Sequence, residues 1–143
     1  MFLKNIVNSY NLLLSLGAFY VGVSMFLERG VFATFPPEWI GKVPFNNWAS
    51  LALFGIIIFG FGNAVASIYG FIKKDKNIFI ITITMGALFF TCTVIPTFLL
   101  GEWYLPTGAF LILSLIQILL GLVGLVIYFF TNRGLIKQMR IYK

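Results

Sequence analysis

The segment ERGVFATFPPEWIGKVPFNNW, residues 28–48, is the only long break between apolar runs in this chain. It contains two of the four carboxylates, three of the five prolines and two of the three tryptophans. Proline interrupts helices, while tryptophan and charged residues are typical of the boundary between membrane and water. The segment therefore predicts a long loop, residues 28–47, that lies at a membrane surface and joins two hydrophobic helices.

The composition on both sides of this loop is that of an integral membrane protein. Of the 143 residues, 60% are hydrophobic and 10% are charged, whereas about a quarter are charged in ordinary soluble domains. Lipid accommodates such a surface without penalty. The net charge of +6 is explained by residues at helix ends, so we expect no nucleic-acid partner. The absence of histidine removes the commonest general base and metal ligand.

Four apolar runs of more than 20 residues follow one another: 6–27, 48–72, 77–100 and 105–131. At about 1.5 Å per residue, each helix would reach about 33 Å, enough to cross a hydrocarbon core of about 30 Å. The sequence thus predicts an all-α fold, a polytopic four-helix transmembrane bundle that forms a single domain over residues 1–143. Residues 132–143 form a tail in which Gly134 marks the break from the last helix, and the tail is expected to lie on anionic lipid headgroups.

The basic residues predict the orientation of the chain. Eight of ten lie on one side of the predicted membrane: Lys4, Lys73, Lys74, Lys76, Arg133, Lys137, Arg140 and Lys143. Only Arg29 and Lys42 lie on the other side, where the tryptophans also lie. The positive-inside rule then places both termini in the cytoplasm and the long loop outside. Pro37 is expected to begin a short helical turn in that loop, with Phe32, Phe35, Trp39 and Phe45 dipping into the interface.

Small and polar residues recur on one face of each predicted helix, as Ser114, Gln117, Gly121 and Gly124 do in the fourth. Such faces let helices approach closely and exchange hydrogen bonds, which predicts a compact bundle. The amides of Asn63 and Gln117 lie at comparable depth. They are expected to join helices, and the alternative is that they hold a polar ligand or line a path.

Three glutamates share the predicted outer side: Glu28, Glu38 and Glu102. If they met, they could hold a cation or act as acid and base. No nucleophile motif, phosphate loop or metal-ligand spacing accompanies them, so we predict no catalytic residue, metal or cofactor. The candidate binding residues are the polar and aromatic side chains of the outer side and the two interior amides: Glu28, Arg29, Glu38, Trp39, Trp48, Asn63, Glu102, Trp103 and Gln117.

Three stretches carry a resemblance to a known group: GVFATFPPEWIGKVPFNNW at 30–48, FGFGN at 59–63 and GEWYLPTGAFLILSLIQILLG at 101–121. Together they resemble small four-span membrane proteins of Gram-positive-type bacteria. The resemblance implies the four-span architecture and a bacterial plasma membrane, and it supplies no activity or substrate.

Three functions remain open at this point. The first is a non-enzymatic membrane helper that binds a membrane-protein partner, a lipid-like ligand or a second copy of itself through the outer loop and the small-residue helix faces. The second is an oligomeric transporter or channel with Asn63 and Gln117 along its path. The third is a membrane enzyme that acts on lipid through the outer glutamates. No Asp, Glu, Lys or Arg lies in the central part of a predicted span, which argues against proton coupling.

Overall fold

A computed structural model describes the backbone of residues 2–73, 75–101, 103 and 105–141, and the side chains of the same residues except 105 and 133–141. The protein is all-α, with 84% of its residues in helices and no strand in the described ranges. Four helices are long and apolar enough to cross a membrane. The predicted all-α architecture with four such helices is confirmed.

The helices coincide closely with the apolar runs. Helix α1 is Phe2–Phe26, α2 is Trp48–Ile72, α3 is Asn77–Leu100 and α4 is Leu105–Ile141. Helix α2 contains a π-helical segment at Ile56–Phe61. The end carrying residues 27–47 is called the loop end here, and the end carrying the α2–α3 turn is called the turn end.

The break predicted at Gly134 is wrong. Helix α4 continues through Gly134 to Ile141 without interruption. A single glycine costs a helix only about 1 kcal/mol relative to alanine, and no proline follows it to stop the helix. At about 1.5 Å per residue, the part of α4 beyond Thr131 adds about 15 Å to the helix.

Helices α1 and α3 are both followed by a residue with left-handed backbone conformation. In α1 this residue is Glu28, with φ of 49°, and the N–H of Arg29 donates to the Ser24 carbonyl over 3.1 Å. In α3 it is Gly101, with φ of 68°, whose N–H donates to the Thr97 carbonyl over 3.0 Å. Glycine normally occupies this position because it has no Cβ, so Glu28 is the unusual choice.

The helices pack into one bundle in which α1 lies along α2 and α3 lies along α4, with α1 also touching α3 and α4. Glycines let these helices approach. A Cβ added to Gly124 would lie 2.2 Å from the Phe79 ring, and one added to Gly22 would lie 2.4 Å from the Ile56 side chain. The apolar core at the turn end is formed by Val7, Ile78 and Phe79, with Leu120, Leu125 and Tyr128 packed against it.

The long loop folds onto the start of α2. It contains two 3₁₀ turns, Gly30–Phe32 and Pro37–Trp39, and the second begins at Pro37 as predicted. Four rings pack edge to face with centroids 5.0 to 5.8 Å apart, and we call them the aromatic cluster: Phe32, Phe35, Trp39 and Trp48. The loop rings contact α2, because Trp48 offers them a large apolar surface at its N-terminus. That these rings lie in the membrane interface stays a prediction.

Candidate functional sites

The interior of the bundle holds a set of polar side chains at one level, one from each helix. We call them the amide network: Asn11 of α1, Asn63 of α2, Thr82 of α3 and Gln117 of α4. All four are 0 or 1% exposed. Because lipid surrounds a membrane bundle and lacks hydrogen-bonding groups, polar side chains turn inward and bond to one another.

Gln117 is the centre of the network. Its Nε2 donates to Asn63 Oδ1 over 2.7 Å and to Asn11 Oδ1 over 3.0 Å. Asn11 Nδ2 in turn donates to Thr82 Oγ1 over 2.8 Å. Three side-chain hydrogen bonds therefore connect all four helices. The structure brings together Asn63 and Gln117, the two interior amides singled out in the sequence.

The π-helical segment of α2 lies next to this network. Asn63 Nδ2 donates to the Phe59 carbonyl over 2.9 Å, and Ser15 Oγ donates to the Gly60 carbonyl over 2.7 Å. A π-helical turn contains an extra residue and leaves carbonyl groups for partners outside the regular helical ladder. Ser15 of α1 supplies a donor to the Gly60 carbonyl, and Asn63 of α2 adds a second donor to the Phe59 carbonyl, which also accepts from the Gly62 N–H.

Two buried amides keep unpartnered atoms within the described structure. Gln117 Oε1 has no hydrogen-bond partner, and neither side-chain atom of Asn8 has one. Asn8 lies one turn from Asn11 and presses against Gly70, where an added Cβ would fall on its Oδ1. These groups do not titrate near neutral pH, so they can orient helices or hold a neutral polar group, but they cannot transfer protons.

The loop end presents a different surface. Trp48 is 7% exposed and lies beneath the loop, whereas Val31, Ile40 and Trp103 are 77%, 57% and 73% exposed. Glu38 and Lys42 are exposed on the same loop. The aromatic cluster therefore fixes the loop from below and leaves apolar and charged side chains facing outward.

The structure describes two of the three outer glutamates, Glu28 and Glu38. Glu28 and Glu38 are both exposed, and neither carboxylate bonds to another side chain in the part of the chain the structure covers. Glu102 lies outside the described residues. Arg29 is exposed beside Glu28, and its backbone N–H closes the end of α1.

Sequence reasoning placed Asn11 and Thr82 on the polar helix faces expected to exchange hydrogen bonds, but it did not single them out as candidate site residues. The signal was present in α1, where Asn8, Asn11 and Ser15 recur at steps of three and four within an apolar helix. It also missed Asp75, whose carboxylate accepts from Tyr69 Oη over 2.9 Å and from the Asn77 N–H over 3.1 Å at the start of α3.

No protein-family model, curated protein or solved structure matches this chain.

Proposed function

We propose that this chain is a non-enzymatic helper of the bacterial plasma membrane, with both termini in the cytoplasm, that binds a membrane-protein partner or a lipid-like ligand at its loop end. The resemblance to small four-span bacterial proteins and the asymmetry of the basic residues support this location and orientation. The binding surface is argued from two features of the structure.

The first feature is that the small-residue faces are already occupied inside the bundle. A Cβ added to Gly121 would lie 2.6 Å from Ile83, and one added to Gly86 would lie 2.8 Å from Ile118. Ser114 and Gln117 on the same face are fully buried. On α3 and α4 these faces are therefore not open to a partner, which favours the loop end as the binding surface.

The second feature is the loop itself, and it is the observation that carries the proposal. The aromatic cluster holds the loop in place while Val31 and Ile40 stay exposed beside the charged groups of Glu38 and Lys42. A fixed surface of mixed apolar and charged groups binds a partner with little loss of conformational entropy. Apolar patches with a polar rim are typical of binding sites.

The test compares two double variants of exposed apolar side chains. Val31→Ser with Ile40→Ser changes the loop end, while Ile112→Ser with Leu119→Ser changes residues of 61% and 58% exposure within α4. Native mass spectrometry of protein purified in mild detergent identifies the bound protein or lipid. We expect the loop variant to lose this species and the other variant to keep it. Equal retention in both would refute the loop end as the site.

A second proposed function, an oligomeric transporter or channel, is supported by the amide network and its unpartnered oxygen on Gln117. A polar path would have to pass these side chains, which are contributed by all four helices. Ion flux through the purified protein in liposomes tests this function. We expect Asn63→Leu to abolish flux, and Ile57→Leu, a change at a 56% exposed side chain, to leave it intact. Absence of flux in the unmodified protein would remove the function.

A further inference from the structure

Basic residues from separate elements meet at the turn end. Lys4 lies in the first turn of α1, Lys73 directly follows α2 and Lys76 directly precedes α3. Since the helices are antiparallel neighbours, these residues lie at about the same level, across the end of the bundle. The loop end differs, because among its described residues Arg29 and Lys42 are matched by Glu28 and Glu38.

Two of these ammonium groups are held by the fold. Lys4 Nζ donates to the Lys73 carbonyl, which is the C-terminal cap of α2. Lys76 Nζ lies 5.6 Å from the centroid of the Phe129 ring of α4, a cation–π contact. An ammonium group has three N–H donors, so each retains donors for a further acceptor. Binding to groups already held in place loses less side-chain entropy.

The carboxylate of this turn, Asp75, already accepts hydrogen bonds from other groups. Asp75 Oδ1 accepts from the backbone N–H of Asn77, and Oδ2 accepts from Tyr69 Oη and Asn77 Nδ2. Its bonds tie the end of α2 to the start of α3. The Asp75 carboxylate therefore stabilises the turn. Its single negative charge is smaller than the positive charge of the three lysines at this end.

The continuation of α4 adds to this charge. The backbone of α4 runs on as a helix from Phe129 to Ile141, and the sequence has basic residues at positions 133, 137 and 140 of this segment. Like charges close to one another repel, and an anion among them relieves that repulsion.

We propose that the turn end is a binding site for the phosphate groups of anionic phospholipids, centred on the α2–α3 turn. Phosphate oxygens accept the spare N–H donors of Lys4, Lys73 and Lys76. A level array of cations across the ends of three membrane-crossing helices fits the plane of lipid phosphates at a membrane surface. The surface is separate from the loop end and does not depend on the function proposed for it.

The experiment measures lipid binding by the full chain. The protein in neutral detergent is titrated with phosphatidylglycerol or phosphatidylcholine, and bound lipid is counted by native mass spectrometry. We expect a preference for phosphatidylglycerol. Lys73→Gln with Lys76→Gln should weaken its binding about 25-fold, since each basic residue at a lipid surface contributes about a fivefold factor.

The control is Arg29→Gln with Lys42→Gln, which removes the same net charge at the loop end and should change binding less than twofold. Equal weakening by both double variants, or equal binding of the two lipids by the unmodified chain, would overturn the proposal. If the turn-end variant does not fold, Lys73→Arg with Lys76→Arg should keep the preference. High salt should then weaken phosphatidylglycerol binding by the unmodified chain, and an unchanged affinity would also overturn the site.

Discussion

The aromatic cluster and the amide network each consist of four side chains that connect separate segments of the chain. Only the amide network contains one residue from every helix. The aromatic cluster ties one loop to the N-terminus of α2 through ring contacts of 5.0 to 5.8 Å. The amide network joins α1, α2, α3 and α4 through hydrogen bonds of 2.7 to 3.0 Å.

The difference teaches where specificity comes from in a membrane bundle. Lipid tails are as apolar as leucine, so apolar packing alone does not distinguish one helix face from another. Hydrogen bonds are directional, and a mispaired amide inside the bundle remains unsatisfied. The network therefore determines which faces meet. The cluster, at the end of the helices where water is available, gains stability from burying large rings and needs less precise geometry.

The largest effect is expected from removing the central ring of the cluster. Trp48→Ala takes away a side chain that is 7% exposed and contacts three other rings. The free energy of unfolding should fall by about 3 kcal/mol, the lower range for a buried tryptophan. The loop should also become sensitive to protease while the helices stay resistant. Trp103→Ala, at a side chain that is 73% exposed, is the control and should have little effect.

A smaller effect is expected from breaking the network at its centre. Gln117→Leu keeps most of the side-chain volume but removes both donated hydrogen bonds, leaving the oxygens of Asn11 and Asn63 without that donor. We expect the free energy of unfolding, measured by titration with a denaturing detergent, to fall by about 2 kcal/mol. Ser15→Ala, which removes one bond to the Gly60 carbonyl, should cost only about 0.6 kcal/mol. Equal costs for the two variants would contradict a central role of Gln117.

The smallest effects are expected from two substitutions at residues with left-handed backbone conformation, which leave the aromatic cluster and the amide network unchanged. Glu28→Gly should raise the free energy of unfolding by about 1 kcal/mol, because glycine adopts the φ of 49° without steric cost. Gly101→Ala, at φ of 68°, should lower it by about the same amount. The same denaturing-detergent titration measures both. A loss of stability in Glu28→Gly would show that the Glu28 side chain makes a stabilising contact that outweighs the backbone term.

Much of the fold was predictable because it depends on local composition. Runs of apolar residues longer than 20 must form helices in lipid, where no water satisfies an exposed backbone. The start of α2 at Trp48 and the turn at Pro37 followed from polar residues and proline at those points. The end of α4 was predicted wrongly, because Gly134 was given more weight than its small energetic cost deserves.

The amino-acid sequence by itself determined the number of helices, their approximate ends and the presence of a polar face on each one, since these follow from residue type and spacing along a single segment. Only the tertiary structure decided that Gln117 binds Asn63 and Asn11 together, that the loop rings turn toward Trp48, and that Lys76 lies over Phe129. The physical reason is that each of these contacts joins residues from different segments of the chain. For the helix contacts, the rotation of one helix against another selects which faces touch.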